Sequence, residues 1–364
     1  MRILLISLAA FFVLGTSCFA QSKPLAKISV DGLEYYGMPL AFNGKEFALM
    51  DPAGKLRLIP TTDRKALEIV SPKFRSYTPD QIRQLLQSEF GSRYDITTSK
   101  RFVVVHAWGS ASSYVQPFEI LHDRFVKFVE SNGVKLNKLQ VPLVAAVLRS
   151  RNDFNRYLIN EVQIKDSKVF GYYSSATNRI TTYDPSGRLR QSNDAWIFNN
   201  GSIIHEAVHQ SAFNTGLHNR FSPPPKWVSE GLATLFEARG FSDPEQFPKR
   251  VHRVNKSRLP HLRKMISQGK LYAQLLNLID NDRIFEKDIE SAYALSWGLS
   301  FYLYETAPER YFKFMVEDAK RKDFVAYTSN QRLKKFAKAF GNDFDALTAN
   351  LTKLFNSKQP SINQ

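Results

Sequence analysis

The chain has 364 residues, 43% apolar and 23% charged, which excludes a disordered, collagen-like or disulfide-scaffold protein and leaves room for two packed units at roughly 100 to 200 residues each. Lysine and arginine number 50 against 34 acids, and the resulting charge of +16 favours anionic surfaces or substrates while saying nothing of the fold. Cys18 is the only cysteine, so a disulfide framework and a thiolate metal site are both excluded, and any metal must be held by His, Asp or Glu.

Residues 1–20 read as a secretory signal: Arg2 supplies the charged start, an apolar run extends from Ile3 to Leu14, and Cys18-Phe19-Ala20 leads to cleavage after Ala20. That run is too short for a mature anchor, and no later run approaches the roughly 18 apolar residues of a transmembrane helix. The expectation is an exported protein, secreted or periplasmic. Acylation of Cys18 is the weaker alternative, because Gly15 stands where a lipoprotein signal has an aliphatic residue.

Residues 21–75 predict a small β unit, with short alternating runs such as 27–30 and 55–59 separated by turn signals at Asp31-Gly32, Asn43-Gly44 and 51–54. The part from 76 to 185 alternates: a helix over 79–90, a buried strand over 102–105, a helix over 114–130 and a strand over 141–148. Residues 169–184 predict a hairpin turning at 176–178. From 186 to 364 the patterns are helical, and no internal repeat is visible.

The chemically informative segment is His205-Glu206-Ala207-Val208-His209 within a helical pattern. Residues four apart share a helix face, so His205 and His209 can offer two imidazoles to one metal while Glu206 sits beside them, where water needs a base. Ile204 and Val208 point to the core, and Gly216 is expected as a left-handed cap after Asn214. Pro223-Pro224-Pro225 breaks the chain and starts a second helix, which Gly240 is expected to end. On that helix Glu230, Thr234 and Glu237 share a face, so Thr234 and Glu237 can orient the imidazoles, or form an ordinary solvated face.

The third ligand separates known patterns. A metzincin needs Gly at 212 and His at 215, whereas this chain has Ala212 and Thr215, and His218 is out of register. Trp227-Val228-Ser229-Glu230-Gly231-Leu232-Ala233 instead places a glutamate with twenty residues between it and His209, and the whole resembles the gluzincin, thermolysin-like metallopeptidases. More closely, His205 through Asn214, Arg220, Trp227, Glu230 and Glu237, with Tyr293-Ala294-Leu295-Ser296-Trp297, resembles a family of secreted bacterial proteins of unassigned function with a peptidase-like core. The close resemblance covers about residues 165–305 and departs from thermolysin at Thr234, where that enzyme has Asp.

The resemblance implies an α+β fold: a small β unit, a zincin-like α/β layer with an edge strand, and a helical half carrying the metal site. It implies one zinc per chain on His205, His209 and Glu230, with Glu206 as general base. Tyr293 is the expected oxyanion donor, with a packed aromatic as the alternative. Gly171, Tyr172, Tyr173, Ser174 and Ser175 are expected to form the edge over which an extended peptide or protein substrate lies.

Remaining candidates have plainer readings. His106 and His122 read as structural, and Trp227 and Trp297 as packing. His252 and His261 lie in residues 246–279, which contain no acid and read as a solvated basic face or an anion-steering surface. No nucleic-acid motif is present. The expected function is zinc-dependent peptide hydrolysis. The rival is a non-catalytic, metal-stapled protein that binds anionic cell-envelope material, against which Glu206 argues, since a structural metal needs no base.

Overall fold

The computed structural model describes residues 23–30, 32–42, 44–60, 67–108, 114–162, 169–184 and 201–356. The expected leader, and Asp31 and Asn43 of the expected turns, lie outside them. The fold is α+β: an antiparallel sheet, a second mixed sheet, then a mostly helical half.

Strands β1 (Leu25–Val30), β2 (Leu33–Phe42), β3 (Glu46–Met50), β4 (Leu56–Pro60) and β5 (Glu68–Ser71) form an antiparallel sheet in the order β4-β3-β2-β1-β5. Among the described residues its own buried apolar cluster is small, Ile28, Phe47, Leu49 and Ile59 with the partly buried Val30 and Tyr35 against them. So small a core is marginal alone, and the sheet leans on the rest of the chain. Met38 and Met50 pack on Val141, Leu56 N–H donates to Ala176 O at 2.8 Å, and Tyr77 N–H to Pro52 O at 2.9 Å.

The second sheet begins after α1 (Pro79–Phe90), whose start is fixed by a Thr78/Gln81 capping box. It comprises β6 (Tyr94–Thr98), β7 (Phe102–Ala107), β8 (Leu143–Leu148), β9 (Gly171–Ser174) and β10 (Arg179–Tyr183), with α2 (Val115–Ser131) and α3 (Arg151–Tyr157) between strands. The order is β6-β7-β8-β10-β9. The three inner strands run parallel, and β6 and β9 are antiparallel edges. Phe-Val-Val-Val-His-Ala and Leu-Val-Ala-Ala-Val-Leu are buried along their whole length, as central parallel strands covered on both faces must be.

The helical half contains α4 (Gly201–Asn214), α5 (Lys226–Phe236), α6 (Arg239–Ser242), α7 (Leu259–Ser267), α8 (Leu271–Asp280), α9 (Ile284–Lys287), α10 (Ile289–Thr306), α11 (Pro308–Ala319), α12 (Ser329–Phe340) and α13 (Phe344–Asn356). Helix α10 is buried over most of its circumference and lies against α5. A Cβ on Gly231 would collide with Ser300 Oγ and approach Ser296 O to 2.7 Å, so glycine sets how closely these two backbones meet. Trp227 packs on Phe314 and Phe336, and Trp297 on Phe301 and Phe355. Gly216 takes the left-handed conformation, with φ +78°. Gly240 does not stop α5: that helix ends at Phe236, and Gly240 lies inside α6, pressed against Arg253 and His252. Among the described residues no helix is long and apolar enough to cross a membrane.

Candidate metal centre

Helix α4 is clamped from its apolar side. Ile203, Ile204, Ala207, Val208 and Ala212 sit in the main core. Gln210 Nε2 donates to Val144 O at 3.0 Å and to Asn178 O at 2.9 Å, tying the helix to β8 and to the β9–β10 turn. Asn178, with φ +59°, exchanges side-chain hydrogen bonds with Asn214 at 2.9 and 2.6 Å. These contacts present His205 and His209 together, with ring centroids 4.7 Å apart and Nε2 atoms 3.1 Å apart.

Glu230 on α5 completes the group: its Oε2 is 2.9 Å from His205 Nε2 and 3.3 Å from His209 Nε2. The three ligand atoms lie within 4.8 Å of one another. Two imidazole nitrogens brought this close around a carboxylate oxygen, in a nearly buried position, form a donor set suited to a borderline cation such as zinc, so the residues fit the metal that the sequence implies. Burial opposes charge on both partners. Even so, the hydrogen bonds that His205 donates to Glu230 and Glu237 raise its pKa, and the charge and hydrogen bonds of the two histidines hold Glu230 far below the usual carboxylate range.

Around the ligands, Glu237 and Thr234 do different things. His205 Nδ1 donates to Glu237 Oε1 at 3.0 Å, which fixes the ring so that Nε2 faces the cluster. Glu237 Oε2 accepts from Asn255 Nδ2 at 2.7 Å. The Thr234 hydroxyl reaches no imidazole: it donates to Glu230 O at 2.7 Å and Gly231 O at 2.9 Å, because this part of α5 is fully buried and its own backbone holds the nearest acceptors.

Glu206 stands outside the three-ligand cluster. Its Oε2 accepts the Tyr173 N–H at 2.7 Å, and burial raises its pKa against the lowering influence of His205 and His209. That direction suits a general base working near neutrality. Gly171 makes this approach possible, since a Cβ there would come within 3.0 Å of Glu206 Cγ. Tyr293 on α10 lies beside the ligands, its ring centroid 5.8 Å from that of His205. Burial, then the Glu230 charge, pushes its phenol far above the ordinary range, so it is a neutral donor.

The edge strand is shorter and more selective than the expected run of 171–175. Tyr173 N–H points out to Glu206, whereas Ser174 O accepts Asn178 N–H within the hairpin. Alternation along an antiparallel strand then turns the backbone groups of Gly171 and Tyr173 outward and those of Tyr172 and Ser174 toward β10. Ser175 lies beyond the strand, and its carbonyl accepts from Arg220, which also donates to Gly54 O at 3.3 Å. Sequence reasoning did not single out Gln210, Asn178 or Asn255, whose partners are distant in the chain, or assign Arg220 a role.

Other candidates fall elsewhere. His106 is bonded to Thr97 Oγ1 at 2.7 Å and His122 to Ser211 Oγ at 3.0 Å, both buried. His261 meets Ser291 Oγ at 3.1 Å. Much of the basic stretch is paired inward: Arg250 and Arg253 both reach Glu305, at 2.5 and 2.9 Å, and Arg263 donates to Phe355 O at 2.7 Å.

Residues 199–325, which include all three ligands, Glu206 and Tyr293, match the family described as protein of unknown function (DUF1570). No curated protein matches the chain. Among solved structures, the chain is similar to a two-domain M1 zinc metallopeptidase mutant bound to L-arginine, with 14% identity and a TM-score of 0.36 over 71% of this chain and 51% of that one. The M1 zinc metallopeptidase of Deinococcus radiodurans gives 12% identity and a TM-score of 0.32 over 75% and 52%. The chain thus spans about half the length of these proteins. Scores so low establish no shared fold, and the site stands on its own geometry.

Proposed function

We propose that the protein is an exported zinc-dependent peptidase. The observation that carries this reading is the convergence of His205, His209 and Glu230 on one point, with Glu206 beside them but outside the donor set, held by the Tyr173 N–H of the edge strand β9. When bound, zinc would supply Lewis-acid charge that polarises a peptide carbonyl and makes water more acidic. Glu206 takes the proton of the attacking water on Oε1, the oxygen that Tyr173 does not engage, and delivers it to the leaving amine. Tyr293 donates its phenol hydrogen to the oxygen on which negative charge builds. The outward backbone of Gly171 aligns an extended peptide without reading a particular side chain. Export is supported by the leader composition of residues 1–20.

Elemental analysis and a peptide-library digest of the purified protein test this together. His205→Ala, His209→Ala and Glu230→Gln should each lose most of one zinc per chain. Glu206→Gln should keep the metal and lose about 10² to 10⁴ in turnover, because it removes proton transfer and leaves coordination intact. Wild-type cleavage by that variant would overturn the mechanism.

A further inference from the structure

Resting on the peptidase reading, we propose that Arg258 reads a substrate carboxylate beside the scissile bond. Arg258 immediately precedes α7. Its backbone is fixed by Asn255, whose Oδ1 accepts Ser257 N–H at 3.1 Å, Ser257 Oγ–H at 2.7 Å and Arg258 N–H at 3.3 Å. The guanidinium carbon lies 4.9 Å over the Tyr293 ring, so one aromatic ring separates it from His205.

Its donors are poorly used. Nη2 is 3.5 Å from Glu237 Oε1 and Nη1 is 3.4 Å from Glu290 Oε2, both longer than the roughly 2.7 to 2.9 Å of a charge-assisted bond, and Nε has no partner. A guanidinium carries five N–H donors. Arginines that brace this fold look different: Arg101 meets Asp123 with both Nη atoms at 2.5 and 2.6 Å and Glu119 through Nε at 2.5 Å, and Arg332 grips Asp282 with two bonds of 2.8 Å. Arg258 thus resembles a recognition group waiting for a planar anion more than a brace. Glu290, its outer neighbour, is 67% exposed, so the pair is weak and a ligand carboxylate displaces it at small cost. Two sources carry this chemistry, the C-terminal carboxylate of a short peptide and an Asp or Glu side chain.

The test uses the metal-loaded, full mature protein and matched peptides that differ only in a free or amidated C-terminus and in Glu or Gln near the cleaved bond. The expected result is a preference of about tenfold or more in kcat/KM for the carboxylate form, carried by KM; this corresponds to about 1.4 kcal/mol. Loss of preference on amidation assigns the C-terminus, and loss on changing Glu to Gln assigns the side chain. Arg258→Gln and Arg258→Lys should move the ratio of carboxylate to neutral substrate toward one, the lysine retaining charge without the fork. Glu290→Gln should raise it. No preference in the wild type, or an equal fall for every substrate in both arginine variants, overturns the proposal and leaves Arg258 as a brace for Glu237. Calorimetric binding of the same acidic peptides separates the two readings: if nothing is cleaved, the peptidase reading fails. Carboxylate-dependent binding lost in Arg258→Gln still supports the arginine's role, and absent binding refutes it.

Discussion

Replacing Glu237 tests whether this carboxylate governs the metal through His205. It sits 3.0 Å from His205 Nδ1, is itself fixed by Asn255 at 2.7 Å, and is 12% exposed, so water does not readily replace it. Glu237→Gln keeps an oxygen to accept the Nδ1 proton but loses the charge assistance, which roughly halves the strength of such a bond, and metal affinity should fall about tenfold. Glu237→Ala leaves the buried N–H unpaired, a cost of about 1 to 3 kcal/mol, and affinity should fall about a hundredfold. Thr234→Val is the control: it lies one turn before Glu237, within α5, but its hydroxyl serves only the carbonyls of Glu230 and Gly231, so affinity should hold while stability drops by about 1 kcal/mol. Competition of each variant against a chromophoric chelator, with the visible spectrum of the cobalt-loaded protein as a check on ligand geometry, reads this directly. Undiminished affinity in Glu237→Ala, or an equal loss in Thr234→Val, would refute the reasoning.

Three further outcomes are expected. Tyr293→Phe removes only the hydroxyl and should lower kcat by about 10² to 10³ with metal content, KM and melting temperature little changed; near-normal turnover would mean that the ring only packs. Gly171→Ala places a methyl 3.0 Å from Glu206 Cγ and should depress turnover with metal retained, measured by single-turnover kinetics; an unaffected rate would remove the strand from the site. Burial, reinforced by the Arg101 charge, lowers the His122 pKa from 6.5 to about 4, so the unfolded chain binds a proton that the fold refuses. Stability contributed by neutral His122 is therefore complete above about pH 6.5 and is lost as pH falls toward 4, by about 3 kcal/mol in all. Urea titrations across that window should show a shallower pH slope in His122→Leu, and an unchanged slope would disprove the assignment.

Some elements were legible because their signal is local. The helix over 79–90 carries its own capping box and amphipathic spacing, and the central strands are unbroken apolar runs. Tyr-Asp-Ile-Thr-Thr of β6 is half-buried and polar at one end, the pattern of an edge strand that pairing with β7 stabilises, so composition gave no warning of it. Gly240 shows the opposite error: a glycine after a helical run suggested a stop, whereas its tertiary neighbours explain the residue.

The sequence by itself determined that two imidazoles and a neighbouring carboxylate share a helix, because a 3.6-residue period places His205 and His209 one turn apart whatever surrounds them. It also marked Glu230 through its spacing on the next helix. Only the tertiary structure decided which groups tune that centre. Glu237 rather than Thr234 reaches an imidazole, Tyr173 rather than Tyr172 turns its amide to Glu206, and Gln210, Asn178 and Asn255 hold the helices in place. Each of those choices depends on a hydrogen bond whose direction is set when separate segments dock. Such directions leave no periodic trace in the chain, since a side chain's own residue type states what it can donate or accept but not which distant partner burial will bring to it.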